Sequence, residues 1–464
     1  MTHPLPFPAP RPWLPALSAL LVTAASASGQ ALTLTQAADA ALATHPSVLA
    51  SQGRLEGAQA GRSAARAAYL PSISGTTGLT RHAEPMVVAP LHGFDPTSPP
   101  DFDRTLIQSQ LGVDFTLFDG GARRARVRGA EAAEAATELG ADATVQDVLE
   151  AVTRGYTAVL ATRAVADAAQ RQEEALASEL DRARQRLQEG TAARVEVLRA
   201  EAALLDAQAQ RASAASSVSL AERGLARLMG AAPGNLAGRP LEDVAPTSSA
   251  PDGESAAVGV STVSGPSAAS GSPPPFEDPR VTAARRSLDG AMARLSQEKA
   301  TRLPTLRASA GLLNFGSGLG EYTTEWQAGV RLSWPLFTGG AREASIRRAD
   351  ADVTVAREEL RAMELAMANE MDAADAALAE ATARAAALDA SVTQWEEVAR
   401  IEALSLETGA GVQQDFLRAQ AAPFQARAGR ARAYYDQLLA LVGRARAQGR
   451  LDRGWMDDAL EIRR

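Results

Sequence analysis

Leu117-Phe118-Asp119-Gly120-Gly121-Ala122-Arg123 and Leu336-Phe337-Thr338-Gly339-Gly340-Ala341-Arg342 are one motif written twice, 219 residues apart. Toward the C-terminus the register holds. Glu189-Gly190-Thr191 answers Thr408-Gly409-Ala410, Val197-Leu198-Arg199-Ala200 answers Phe416-Leu417-Arg418-Ala419, and Gly230 answers Gly449, all at the same offset of 219. Toward the N-terminus His45-Pro46 matches Asp278-Pro279, and Tyr69-Leu70-Pro71 matches Arg302-Leu303-Pro304, now at an offset of 233. The 14-residue difference falls between Pro71 and Phe118, where the first copy carries a longer insert. Chance does not keep such a register, so the chain is an internal duplication. The repeats span 28–232 and 278–449, joined by 233–277 and followed by a tail, 450–464. The joining segment, with runs such as SGPSAASGSPPP, is too rich in Pro, Ser and Gly to bury a core and reads as a linker.

Each copy follows one plan. A helix is expected from Thr35, as N-cap, to about Tyr69, where Pro71 stops it. The period then changes from helical to alternating. Tyr322, Thr324, Trp326, Ala328, Val330, Leu332, Trp334 and Leu336 interleave with Thr323, Glu325, Gln327, Gly329, Arg331 and Ser333. In the first copy Ile107, Ser109, Leu111, Val113, Phe115 and Leu117 interleave with Gln108, Gln110, Asp114 and Thr116. Strict alternation with aromatics at both ends is the pattern of a membrane β-strand, with Tyr322, Trp326, Val330 and Trp334 toward lipid and Glu325 and Arg331 toward a lumen. A long strand in a soluble sheet is the other reading. Residues 71–81 and 304–318 supply weaker partner strands, so each copy offers a β-hairpin and the chain four strands. Four strands cannot close a barrel, and an unpaired edge is prohibitive in a bilayer. Two chains would give 8 strands and three would give 12.

After Gly121 no proline interrupts the chain until Pro233. Val145, Val148, Val152, Tyr156 and Val159 follow a coiled-coil spacing, repeated by Leu360, Met363, Met367, Met371, Ala374 and Leu378. The stretch from Gly121 to Gly190 makes about 100 Å of helix at about 1.5 Å per residue. A turn at Gly190 or Gly409 and two shorter helices laid end to end would return the chain to its start.

Composition limits the alternatives. The net charge of −8 comes without a basic block, which excludes a nucleic-acid partner. Cysteine is absent, so there are no disulfides, thiolate metal sites or lipid-bearing N-terminal cysteine. His3, His45, His82 and His92 are scattered and make no metal site, and no nucleophile motif or phosphate loop supports an enzyme. Residues 1–27, with Arg11 before an apolar run that ends in small residues, read as a secretory signal peptide. No other run is long enough for a transmembrane helix.

The opening LTLTQAADAALATHPSVLASQ, the pairs YLPSIS/RLPTLR and LFDGGARR/LFTGGARE, and the closing VLRAEAALLDAQAQ and FLRAQAAPFQARA resemble the TolC family of outer-membrane efflux proteins. The resemblance implies an α+β membrane protein forming a homotrimer, with a 12-stranded β-barrel in the outer membrane and a helical barrel in the periplasm. It implies a passive exit channel without cofactor, in lipid, docked to a periplasmic adaptor (membrane fusion protein) and an inner-membrane pump or ABC transporter. The tips Gly190, Thr191, Gly409 and Ala410 match the end where the adaptor docks, although a tight helix–helix turn alone would also want glycine. Asp415, six residues past Gly409, matches a pore-facing aspartate, and Glu196 is its counterpart in the first copy. Departures stand nearby. Gly411 and Leu406 occupy the places of an arginine–tyrosine tether, and Arg418 that of a second aspartate. Arg199 and Arg418 could supply a substitute network with Glu196 and Asp415. A periplasmic coiled-coil adaptor or scaffold without a barrel is the competing function, and the alternating strands separate the two.

Overall fold

The computed structural model describes residues 31–92, 97, 99–247, 278–318, 320, 322–408 and 410–462. The expected signal peptide, most of the linker (248–277) and Gly409 lie outside the described residues.

The first helices among the described residues are two, α1 (Leu34–Thr44) and α2 (Pro46–Ala67), where the sequence predicts one. Pro46 lacks an N–H and pushes the residue before it out of the helical region. His45 is accordingly extended (φ −67°, ψ 127°) and starts α2 by accepting the Ser47 N–H on Nδ1 at 3.3 Å. The first N-cap is Thr33 rather than Thr35. Its hydroxyl accepts the Gln36 N–H at 3.0 Å, and Gln36 accepts the Thr33 N–H at 3.4 Å, a capping box.

There follow β1 (Ser72–Val87), β2 (Phe102–Phe118), α3 (Ala122–Gln188), α4 (Arg194–Leu228) and β3 (Val244–Pro246). The second copy supplies α5 (Pro279–Ala300), β4 (Thr305–Ser317), β5 (Tyr322–Ser333), α6 (Ala341–Glu407) and α7 (Gln413–Ala447), then α8 (Arg453–Ala459) and β6 (Leu460–Ile462). The copies agree to the residue: α2 and α5 have 22 residues, α3 and α6 have 67, α4 and α7 have 35. At about 1.5 Å per residue α3 and α6 each run about 100 Å.

Ion pairs mark how the short helices lie along the long ones. Down α6, Glu343, Glu364 and Glu370 meet Arg302, Arg285 and Arg280 of the α5 side, then Asp375, Asp389 and Glu396 meet Arg444, Arg430 and Arg427 of α7. Numbers rise on one helix as they fall on its partner, so α5 and α7 run antiparallel to α6, end to end. Along α3, Glu131 and Glu134 meet Arg66 and Arg62 of α2, and farther on Arg163 and Glu173 meet Glu222 and Arg211 of α4. Such pairs set register more than stability, at about 0–1 kcal/mol each where exposed.

The sheet has the order β1-β2-β4-β5, antiparallel throughout, with β1 and β5 at its edges. β1 runs on past the expected 71–81 to Val87, beyond an irregularity between Arg81 and Met86. β5 stops at Ser333, short of the expected Trp334 and Leu336, because Pro335 has no N–H for the ladder.

The main core lies midway along the helices. Leu149, Val152, Tyr156 and Val159 of α3 pack with Leu225 of α4 and Leu438 and Val442 of α7, all fully buried or nearly so. Residues 233–247, expected as linker, are part of it: Leu236 and Val244 are buried, and β3 pairs with β6. The expected tail adds buried Leu451, Met456 and Ala459. Tyr156 ties this layer together, its hydroxyl 2.6 Å from the Leu32 carbonyl and 2.7 Å from that of Glu242. Burial, then the nearby Glu242 charge, push the phenol far above its ordinary range, so it remains a neutral donor.

Candidate channel wall, tips and gate

The strand register sorts side chains by face. Ile73, Val113, Ala310 and Ala328 form one cross-strand row, and Leu111, Leu312 and Trp326 another. Phe115, Ala308 and Val330 form a third, and Leu79, Ile107 and Tyr322 lie along the same face, toward the hairpin tips. Opposite faces alternate along each strand, so Glu325, Gln327 and Arg331 share the other face with Gln110, Asp114 and Arg307. The apolar face is bare: Trp326 is 77% exposed and Val330 66%. Trp334, just beyond β5, donates its indole N–H to the Arg302 carbonyl at 3.1 Å. No helix among the described residues is long and apolar enough to cross a membrane.

At the far end of the helices both tips use one turn. Gly190 has φ +75°, and the N–H groups of Thr191 and Ala192 both bond the Arg186 carbonyl, at 2.9 and 3.2 Å. Ala410 and Gly411 repeat this on the Ser405 carbonyl, at 2.9 and 2.8 Å. At both ends a reversal of the chain satisfies the last helical carbonyls, and in the first the positive φ of Gly190 enables it.

Asp415 and Arg418 are exposed on the first turns of α7, and Arg199 is exposed on α4. Glu196 turns back on its own helix, accepting the Ala193 N–H at 3.3 Å. Among the described residues no ion pair joins these four within the protomer.

The structure brings together a different set. Glu179, 4% exposed on α3, accepts from Arg186 at 2.8 Å and from the Gln413 amide at 3.0 Å, while Arg186 donates to Gln413 Oε1 at 3.2 Å. This clasp fastens the α3–α4 hairpin to the start of α7. It borders a cleft of about 370 Å³ lined also by Glu189, Leu406, Phe416 and Gln420. Sequence reasoning missed it because Glu179 and Gln413 lie 234 residues apart and neither belongs to the repeated motifs.

Residues 37–231 and 277–450 match the family model described as outer membrane efflux protein. The chain belongs to that family. Among curated proteins it is 30% identical over 322 residues to fusaric acid resistance protein FusA of Burkholderia cepacia, and 29% identical over 337 residues to protein CyaE of Bordetella pertussis. These alignments cover 68% and 69% of this chain but 57% and 64% of those relatives. The fold is that of the outer membrane protein VceC of Vibrio cholerae (TM-score 0.74, 20% identity, 90% of this chain and 96% of that one). It is likewise that of the Campylobacter jejuni CmeC outer membrane channel (TM-score 0.73, 16% identity, 91% and 87%). The chain is thus an outer-membrane protein whose helical part lies on the periplasmic side, in a family of transport channels rather than catalysts.

Proposed function

We propose that three copies close into one passive exit channel, the outer-membrane part of a tripartite efflux pump or type I secretion system. The observation that carries this is the open sheet: one exposed, mostly apolar face crossed by a polar row of Thr77, Ser109, Asn314 and Thr324, an opposite polar face, and two edge strands each unpaired on its outer side. A scaffold has no use for such a face. Two copies would give eight strands, whose interior side chains fill, whereas three leave an aqueous lumen.

The duplication supports a definite seam. Inside the protomer β2 pairs with β4, Leu111 opposite Leu312. Carried forward by the two repeat offsets, that pair becomes Val330 of β5 opposite Leu79 of the next protomer's β1, and both lie on the apolar face. The helices follow suit. A Cβ on Gly120 (φ +66°) would sit 2.9 Å from the Ala300 carbonyl and from Leu303 of the other repeat. Its counterpart Gly339 (φ +61°) faces open space, and the matching residues on the next protomer are Ala67 and Leu70. Leu70 is 69% exposed in the single chain.

The hairpin tips, Gly190-Thr191 and Gly409-Ala410, then dock a periplasmic adaptor, which links the channel to an inner-membrane pump or ABC transporter. The fusaric acid resistance relative favours small-molecule efflux over polypeptide export. Asp415, unpaired and exposed past the tip, faces its two copies at the entrance with Glu196 nearby, and like carboxylates so close attract cations. The clasp of Glu179, Arg186 and Gln413 takes the tether's place that Gly411 leaves empty. In planar bilayers, hexaamminecobalt(III) added on the periplasmic side should block the channel. Asp415→Ala should weaken that block markedly and Glu196→Gln less. An unchanged block in Asp415→Ala would turn that carboxylate away from the lumen.

A further inference from the structure

The polar face of the sheet carries an unanswered cationic pair at its base. Arg307 of β4 and Arg331 of β5 are direct cross-strand partners. Each lies two residues from the strand end that leads to the helices, and both are exposed. Like charges directly opposite on one face are destabilising, and arginine cannot relieve them by losing its proton. Among the described residues neither side chain has an ion-pair partner. The nearest carboxylate on the face by register is Asp114, two residues along β2 from Thr116, the residue opposite Arg307. It forms no ion pair with Arg307.

The charge extends into the junction with the helices. Arg307 lines a cleft of about 520 Å³ with Asp114, Thr116, Asp119, Arg123 and Arg126. Arg123 is held by Asp119 at 3.0 Å, so its charge is met. Arg126 has no such partner among the described residues. Three guanidiniums per protomer therefore border this level of the polar face against the single carboxylate of Asp114.

We propose that Arg307 and Arg331, tripled about the channel axis and backed by Arg126, form an oxyanion-binding girdle at the base of the barrel. It selects carboxylate- or phosphate-bearing cargo. This rests on the exit-channel reading, which puts the polar face on the lumen. Guanidiniums side by side offer parallel N–H donors in the geometry that carboxylates and phosphates accept. Low-dielectric barrel walls focus their field into the pore. Because both arginines are solvated, binding stays weak enough for cargo to leave, as conduction requires. The girdle lies at the opposite end of the helices from Asp415 and is opposite in sign, so the two ends can be probed separately.

The test uses the full-length channel in planar bilayers, with tripolyphosphate as the probe, added on the side away from the helical tips. Wild type should be blocked. Arg307→Gln with Arg331→Gln should raise the half-blocking concentration at least about tenfold, the loss of roughly 1.4 kcal/mol. Arg331→Lys, which keeps the charge but loses the guanidinium fork, should fall between wild type and the double variant. The hexaamminecobalt(III) block from the other side should be unchanged in the double variant, which controls for general damage to the pore. A double variant that conducts normally with an unaltered tripolyphosphate block overturns the girdle alone. A wild-type protein that conducts nothing overturns the girdle and the channel reading together.

Discussion

The two longest helices, α3 and α6, have the same length and the same place in their repeats, yet they meet opposite surroundings. α3 buries seventeen residues, Tyr156 and Leu149 completely, between α2 and α4 on one side and α5 and α7 on the other. α6 buries five, and packs chiefly on α5 and α7. Val355, Leu365, Trp395, Val398, Ile401 and Leu404 are left at the surface, Leu365 65% exposed. The glycines that open the two helices differ in the same way, Gly120 wedged against the other repeat and Gly339 free. One repeat is an interior and the other an edge, and the edge continues into the outer side of β5, which no strand among the described residues pairs. A duplicated unit with one finished interface and one bare copy of it is built to be completed by another chain.

Breaking the comparison at its strongest point means removing Tyr156. Tyr156→Ala should cost about 3–5 kcal/mol by urea titration of the folded protein, from the cavity and the lost phenol hydrogen bond that the Leu32 and Glu242 carbonyls share. Trp395→Ala on α6 should cost the isolated protomer no more than about 0.5 kcal/mol while weakening assembly. Equal costs would put α6 in a protomer core. Next comes the sheet. Val330→Arg should destabilise the barrel in bilayers by about 2–4 kcal/mol, and Gln327→Arg, on the opposite face, far less. Comparable effects would reject the face assignment, since a one-residue slip exchanges the faces. The smallest effect is expected where the ion-pair ladder is most exposed. A double-mutant cycle on Arg430 and Asp389 should give less than about 1 kcal/mol.

Much of this was legible in the sequence because the relevant signals are local and repeated. Gly120-Gly121 and Gly339-Gly340 announce left-handed turns before helices, and the alternation from Tyr322 to Ser333 fixes which residues share a face. The break at Pro46 was also readable, yet the helical period on either side of it concealed the stop. The rest depends on contacts that no local pattern encodes. Residues 233–247 look like the spacer that follows them, and only packing against Tyr156, Tyr435 and the C-terminal segment gives Leu236 and Val244 a core. The clasp was hidden for a related reason: the repeat directed attention to Asp415 and Glu196, whereas Glu179 meets Gln413 across two hairpins. Tyr156 was visible only as one member of the coiled-coil spacing from Val145 to Val159, and nothing local marks the Leu32 and Glu242 carbonyls that it meets.

The seam between protomers gives the most direct test of the account, and the chain has no cysteine to interfere. Leu79→Cys with Val330→Cys, oxidised in mild detergent, should link chains into a covalent trimer that reverts to monomer on reduction. Either single variant should give none. The account is contradicted if the double variant remains monomeric on denaturing gels, or if Thr80→Cys with Val330→Cys, which places the two thiols on opposite faces, links as well.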